Sequence, residues 1–210
     1  MSRGRYFAAL GTVELAGTFR AMPRLETARR WRSEAPEGFE FSFRAPSLIT
    51  HPGSGVVGHF RPGAQLRDAW AAARAVSQAL AARFVVFETP ASFHPDCDHL
   101  RDMYRFFKEI DRGQMRCVWQ PGGRWAERLL AQVCADLKLL RACDPISGGQ
   151  APGCLNYYRL PGSGFGRPDS GREYGDAQLE RILKSCSGRP SYVFFRGRSG
   201  WAAARRLLEL

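Results

Sequence analysis

Lysine is nearly missing from this chain. Of 31 basic residues only Lys108, Lys138 and Lys184 are lysines, so the excess over 20 acids, a formal charge of +11, is almost pure guanidinium. Arginine is planar, always charged and bidentate toward phosphate, which makes a polyanion partner one reading of the excess; a GC-rich genome or adaptation to heat is the other. No stretch nears the ~20 apolar residues of a membrane span. The first ten residues carry Arg3 and Arg5 without the apolar run of a signal peptide, so a cytoplasmic protein with no membrane partner is expected. The six cysteines include no C-x-x-C pair, and no Cys/His cluster has zinc spacing. No metal is expected, and buried thiols are expected over disulfides. There is no P-loop, and the glycine-rich run 161–166 is followed by Arg167-Pro168 instead of opening a helix; no cofactor is expected.

What is present is a globular composition: 44% hydrophobic and 24% charged residues over 210 positions, with 14 Phe and 5 Trp for a core. No internal linker interrupts it, so residues 1–210 read as a single domain. Apolar runs at 13–19, 39–43, 84–87, 115–119, 140–143, 155–160 and 192–195 predict seven strands. Phe84-Val85-Val86-Phe87 is apolar at consecutive positions, as a parallel strand covered on both faces requires.

Helical periodicity lies between the runs. Leu66, Trp70, Ala73, Val76 and Leu80 share one face; Leu100, Met103, Tyr104, Phe107 and Ile110 a second; Leu129, Leu130, Val133 and Leu137 a third. Leu179, Ile182 and Leu183, then Trp201, Ala204 and Leu208, repeat the pattern. The alternation belongs to a doubly wound sheet or a barrel. Two Gly/Pro/Ser-rich loops, 46–62 and 161–173, follow strands and so fall at the strand C-terminal edge, where sites are built. Phe165, in the second loop, is placed to stack on a ligand.

Val13-Glu14-Leu15-Ala16-Gly17-Thr18-Phe19-Arg20, Leu25-Glu26-Thr27-Ala28-Arg29-Arg30-Trp31, Ala35-Pro36-Glu37-Gly38-Phe39-Glu40-Phe41 and Leu48-Ile49-Thr50-His51 resemble, in order and spacing, blocks of the YecE-like family, also called domain of unknown function 72. Phe87-Glu88-Thr89-Pro90-Ala91-Ser92-Phe93, Trp119-Gln120-Pro121-Gly122-Gly123-Arg124-Trp125, Asp144-Pro145 and Tyr158-Arg159-Leu160 resemble its later blocks, particularly in short archaeal members. The resemblance implies a TIM-barrel-like (β/α) fold and no reaction. The family's first strand, with its Gly-Thr-x-Gly-like run, has no counterpart here, so an incomplete barrel of seven strands is expected. Met1 to Arg5 in its place, closure by the flanking strands, or a protein partner or second copy in the opening would fill the gap; an in-frame start codon upstream would supply it instead. Ala16, Arg20, Glu88, Gln120, Gly122, Pro161 and Arg196 replace polar residues usual in the family, the pattern of a degenerate site.

Acids and bases in such a fold belong at strand C-terminal ends. Glu14, inside an apolar strand, is either catalytic or an ion-pair partner of Arg44 or Arg159. His51, before Pro52, reads as a general base, a phosphate ligand or an ordinary loop histidine. Asp144, before Pro145, reads as a ligand group off a strand end or as the head of an Asx turn. Glu88 and Asp144 are a further carboxylate pair to consider for hydrolysis. Arg20, Arg44, Arg159, Arg196 and Arg198 all follow or end strands, which makes them either an anion site or scattered surface charge. Two functions result: a non-catalytic binding protein whose basic mouth takes a phosphate polyanion such as RNA or a nucleoprotein particle, and a TIM-barrel enzyme acting on an anionic, phosphate-containing small molecule.

Overall fold

The computed structural model describes residues 2–53, 55–56, 58–148, 153–160, 173–197 and 199–210. Two compact units divide it, Met1–Leu139 and Leu140–Leu210.

In the first unit, α1 (Arg3–Ala9) leads into β1 (Thr12–Leu15), followed by α2 (Leu25–Glu34), β2 (Glu40–Arg44), a single helical turn α3 (Ser47–Thr50), α4 (Ala64–Leu80), β3 (Phe84–Glu88), α5 (Cys97–Glu109), β4 (Arg116–Gln120) and α6 (Glu127–Asp136). Ser2 caps α1 by accepting a hydrogen bond from Arg5 N–H, so residues 3–5 are helical and do not stand in for a missing strand. The run read as a strand over 13–19 ends at Leu15: Ala16 is already in the right-handed helical region, and Gly17–Phe19 form a 3-10 turn.

β1 pairs with β2, β2 with β3 and β3 with β4, all parallel. Side chains alternate across a strand. Phe41 and Phe43, Val85 and Phe87, Cys117 and Trp119 therefore face one way, into a core closed by the helices. Helix α4 contributes Leu66, Trp70, Ala73, Val76 and Leu80, the face its periodicity predicts. Helix α5 buries Met103 and Phe107 as expected, and also Asp102 and Phe106, which lie one position off the expected stripe.

The second unit holds β5 (Leu140–Cys143), β6 (Asn156–Leu160), α7 (Asp176–Ser185), β7 (Ser191–Phe195) and α8 (Gly200–Glu209). β5–β6 and β6–β7 are parallel. Leu160, Tyr174, Leu179, Ile182 and Ala203 form its core. Helix α8 is rotated from the predicted face: Gly200, Ala203 and Leu207 turn inward, and Leu208 is 69% exposed.

Among the described residues the strand order within each unit is sequential, β1 to β4 in the first and β5 to β7 in the second. The fold class is α/β, an incomplete TIM-barrel-like (β/α) fold with seven strands among the described residues. All six cysteines are free thiols; Cys117, Cys134 and Cys143 are buried as expected, whereas Cys97 and Cys154 are exposed. Burial pushes the Cys117 thiol up to about 12, far from the reactive thiolate range. Among the described residues no helix is long and apolar enough to cross a membrane.

Candidate functional site

Parallel strands bring their C-terminal ends to one edge, and in the first unit that edge carries a compact polar cluster. Arg44 is the last residue of β2 and stands opposite Val86 in the register; Glu88, two residues on, ends β3 on the same face. Arg44 Nη2 lies 3.0 Å from Glu88 Oε2, with the two side chains only 10% and 11% exposed. The guanidinium also sits over the Phe19 ring, 3.8 Å from its centroid. Thr18 folds the 3-10 turn back to make that possible: its Oγ1 accepts Arg44 N–H at 3.1 Å and shares its own proton between Leu15 O at 2.7 Å and Arg44 O at 2.8 Å.

His51 closes the cluster. Its ring meets Phe19 edge-on at 4.9 Å, and Nδ1 is 2.9 Å from Thr50 Oγ1. Burial lowers its pKa below 6.5, the nearby Glu88 carboxylate raises it and Arg44 lowers it further, with the net direction downward. The imidazole is therefore neutral at pH 7 and able to accept a proton. Glu14 stands opposite Ser42 in the β1–β2 register and is half-buried. Ser42 Oγ is buried without a hydrogen-bond partner among the described residues. The acid that pairs with Arg44 here is Glu88, at the position where the family resemblance leads one to expect glutamine.

Asp144 is spent on its own chain: Oδ1 accepts Ile146 N–H at 2.9 Å and Oδ2 accepts Ser147 Oγ–H at 2.8 Å, an Asx turn. Of the arginines read as an anion site, Arg20 is exposed just after β1, Arg44 is held by Glu88, Arg159 is buried on β6, and Arg196 follows β7 with its N–H donated to Leu160 O at 3.1 Å. Arg198 and Phe165 lie outside the described residues. The sequence reading overlooked two groups, Phe19 as the platform for Arg44 and the rim arginines Arg24, Arg61 and Arg124. The signal for the latter was their place in the loops after β1, β2 and β4.

Those three and Arg20 are exposed, and none has an acidic partner among the described residues. Those three loops carry no acid in their sequence, and the neighbouring loop after β3 carries one, Asp96.

His59, in the β2–α4 loop, packs its ring 4.5 Å from that of His99 on α5 and 5.6 Å from Phe93; His59 Nε2 lies 3.1 Å from Ser92 Oγ, and His99 Nδ1 lies 2.8 Å from Asp96 Oδ2. Burial lowers the His59 pKa, His99, His51 and His94 lower it further, and only Asp96 opposes. His51 and His59 thus bind protons less readily folded than unfolded, and the unfolded chain gains protons first as pH falls. Stability is then full above about pH 6.5 and drains away below it. A melting temperature that falls between pH 7.5 and 5.5 is expected, with the fall reduced in His59→Gln; a flat profile over that window defeats the expectation. Among the described residues no three His, Cys, Asp or Glu side chains are placed to hold a metal ion.

A family model described as protein of unknown function DUF72 matches residues 4–210. Among solved structures, a DUF72 family protein from Enterococcus faecalis V583 is similar with a TM-score of 0.71 at 15% identity, covering 100% of this chain and 86% of that one. A DUF72 family protein from Thermotoga maritima MSB8 is similar with a TM-score of 0.71 at 14% identity, covering 100% of this chain and 90% of that one. At such identity the likeness shows the fold alone. No curated protein matches the chain.

Proposed function

Because the chain belongs to the DUF72 family, whose membership fixes a fold and no reaction, we propose that it is a non-catalytic binding protein whose strand-end rim engages phosphate polyanions such as RNA or a nucleoprotein particle. One observation carries the reading: Arg20, Arg24, Arg61 and Arg124 are exposed, lack acidic partners among the described residues, and occupy loops that parallel pairing brings to one edge of the first unit. Guanidinium groups so placed bind phosphates along a backbone without reading bases. The chemistry for an enzyme is thinner. Arg44 is neutralised by Glu88 and the Asp144 carboxylate is tied into a turn, leaving His51 and Glu14 to act on a phosphate-containing small molecule.

The test is fluorescence anisotropy with a labelled single-stranded RNA of mixed sequence over a salt series. Four arginines neutralising phosphates at about 0.7 each give a log-log slope near ~3. The Arg20/Arg24/Arg61/Arg124→Ala variant is expected to lose binding and most of that slope, whereas His51→Ala keeps both. Failure of the wild-type protein to retain RNA at low salt, or an unchanged slope in the quadruple variant, removes the reading.

A further inference from the structure

Outside the strand-end site, α4 and α5 leave between them a cavity of about 520 Å³, within the size range of small-ligand sites. Its floor is apolar: Leu66 and Trp70 from α4, Phe106 from α5 and Phe60 from the preceding loop, with Trp70 and Phe106 rings 5.8 Å apart. The α4 wall is lined by Ala71 and Ala75, whose short side chains leave the floor open where longer ones would cover it.

The charges around the cavity are mostly used up. Arg74 is 3.3 Å from Asp111, Arg105 is 3.0 Å from Glu109, and the buried Asp102 is 3.2 Å from Arg101. The Trp70 indole N–H, which a ligand would otherwise have to satisfy, is donated to Asp111 O at 3.2 Å. Arg67 remains. It lines the cavity, is exposed, and has no acidic partner among the described residues. An apolar slot with one uncommitted guanidinium complements a molecule with an apolar body and a single anionic head.

We infer that the α4–α5 groove is a binding site for a small anionic amphiphile, its apolar body against Trp70 and Phe106 and its carboxylate or sulfonate on Arg67. The site is independent of the polyanion rim, which shares none of these residues.

The probe is 1-anilinonaphthalene-8-sulfonate, titrated into the native full chain by fluorescence, with decanoate as competitor. Saturable binding at one site per chain is expected. Ala71→Leu/Ala75→Leu, which fills the wall at positions that are not part of the core, and Arg67→Glu, which reverses the head-group charge, are each expected to weaken binding about tenfold or more while the melting temperature holds. Decanoate is expected to displace the probe and decylammonium to fail. The proposal is overturned if either variant keeps wild-type affinity, or if decylammonium competes as well as decanoate. Should the double variant melt early, Ala71→Leu alone gives the same decision.

Discussion

Replacing Glu88 with alanine is expected to destabilise the fold by about 3 kcal/mol or more, the range for removing one partner of a buried ion pair. With both side chains only about a tenth exposed, solvent screens little of the interaction. The loss comes chiefly from what is left behind: the Arg44 guanidinium keeps its place over Phe19 but loses the carboxylate 3.0 Å away that helps to offset its desolvation. A double variant, Arg44→Met with Glu88→Leu, removes both charges and is expected to recover most of the loss, since apolar groups of similar volume commonly replace such pairs without penalty. Urea unfolding monitored by tryptophan fluorescence measures both. A Glu88→Ala unfolding free energy within about 1 kcal/mol of wild type at unchanged slope would show that Glu88 is not what balances the cation.

The second large effect is expected at Phe60. This residue lies in the Gly- and Pro-rich β2–α4 loop, yet it is fully buried, with ring centroids of Phe93, Phe106 and Phe107 at 5.5, 5.3 and 5.4 Å. Truncation to alanine opens a cavity that the surrounding rings cannot close, for about 3–5 kcal/mol, or a drop of about 10 °C in melting temperature for a chain of this size. Phe60 also holds a φ of +61°, and its neighbour His59 one of +51°, so the packing of the ring offsets backbone strain of about 1 kcal/mol or more. Phe60→Gly relieves the strain and keeps the cavity, and is expected to melt above Phe60→Ala; the reverse order would deny the strain.

The strands were legible because parallel strands covered on both faces must be apolar at consecutive positions, and the runs around Phe84, Cys117 and Tyr157 have no other use. The α4 face was legible because Leu66, Trp70, Ala73, Val76 and Leu80 fall on one stripe. Phe60 was not, since one aromatic among glycines carries no period. The α8 face was missed by a single position because the helix carries three consecutive alanines, Ala202 to Ala204, and two consecutive leucines, Leu207 and Leu208, so its apolar residues do not single out one stripe. At the strand ends, His51 and Arg44 were found but their partner Glu88 was not assigned to them, as pairing across strands depends on register, which no single strand contains. Asp144 was readable two ways, and the hydrogen bonds to Ile146 and Ser147 decide for the turn. The arginine excess also has a use that net charge conceals. Arg32 donates to Phe39 O, Arg112 to Leu137 O and Phe107 O, and Arg206 to Tyr174 O, each supplying a donor to carbonyls at helix ends and turns.

The β2–α4 loop is tied down at two places and closed on itself at a third. A Cβ on Gly58 would stand 2.3 Å from His51 C, so the two arms of the loop touch there, and Phe60 is anchored just beyond. Before that crossing, Gly53 and Val56 exchange backbone hydrogen bonds at 2.9 and 3.0 Å, which makes the tip a small hairpin of its own. Chain length can therefore change at the tip without moving either arm, whereas one residue more or fewer between Gly58 and Pro62 would withdraw Phe60 and shift His59. Evolutionary insertions and deletions in this loop should collect at the hairpin, and the same tip is where an epitope or a fluorophore can be introduced beside the arginine rim without unfolding what supports it.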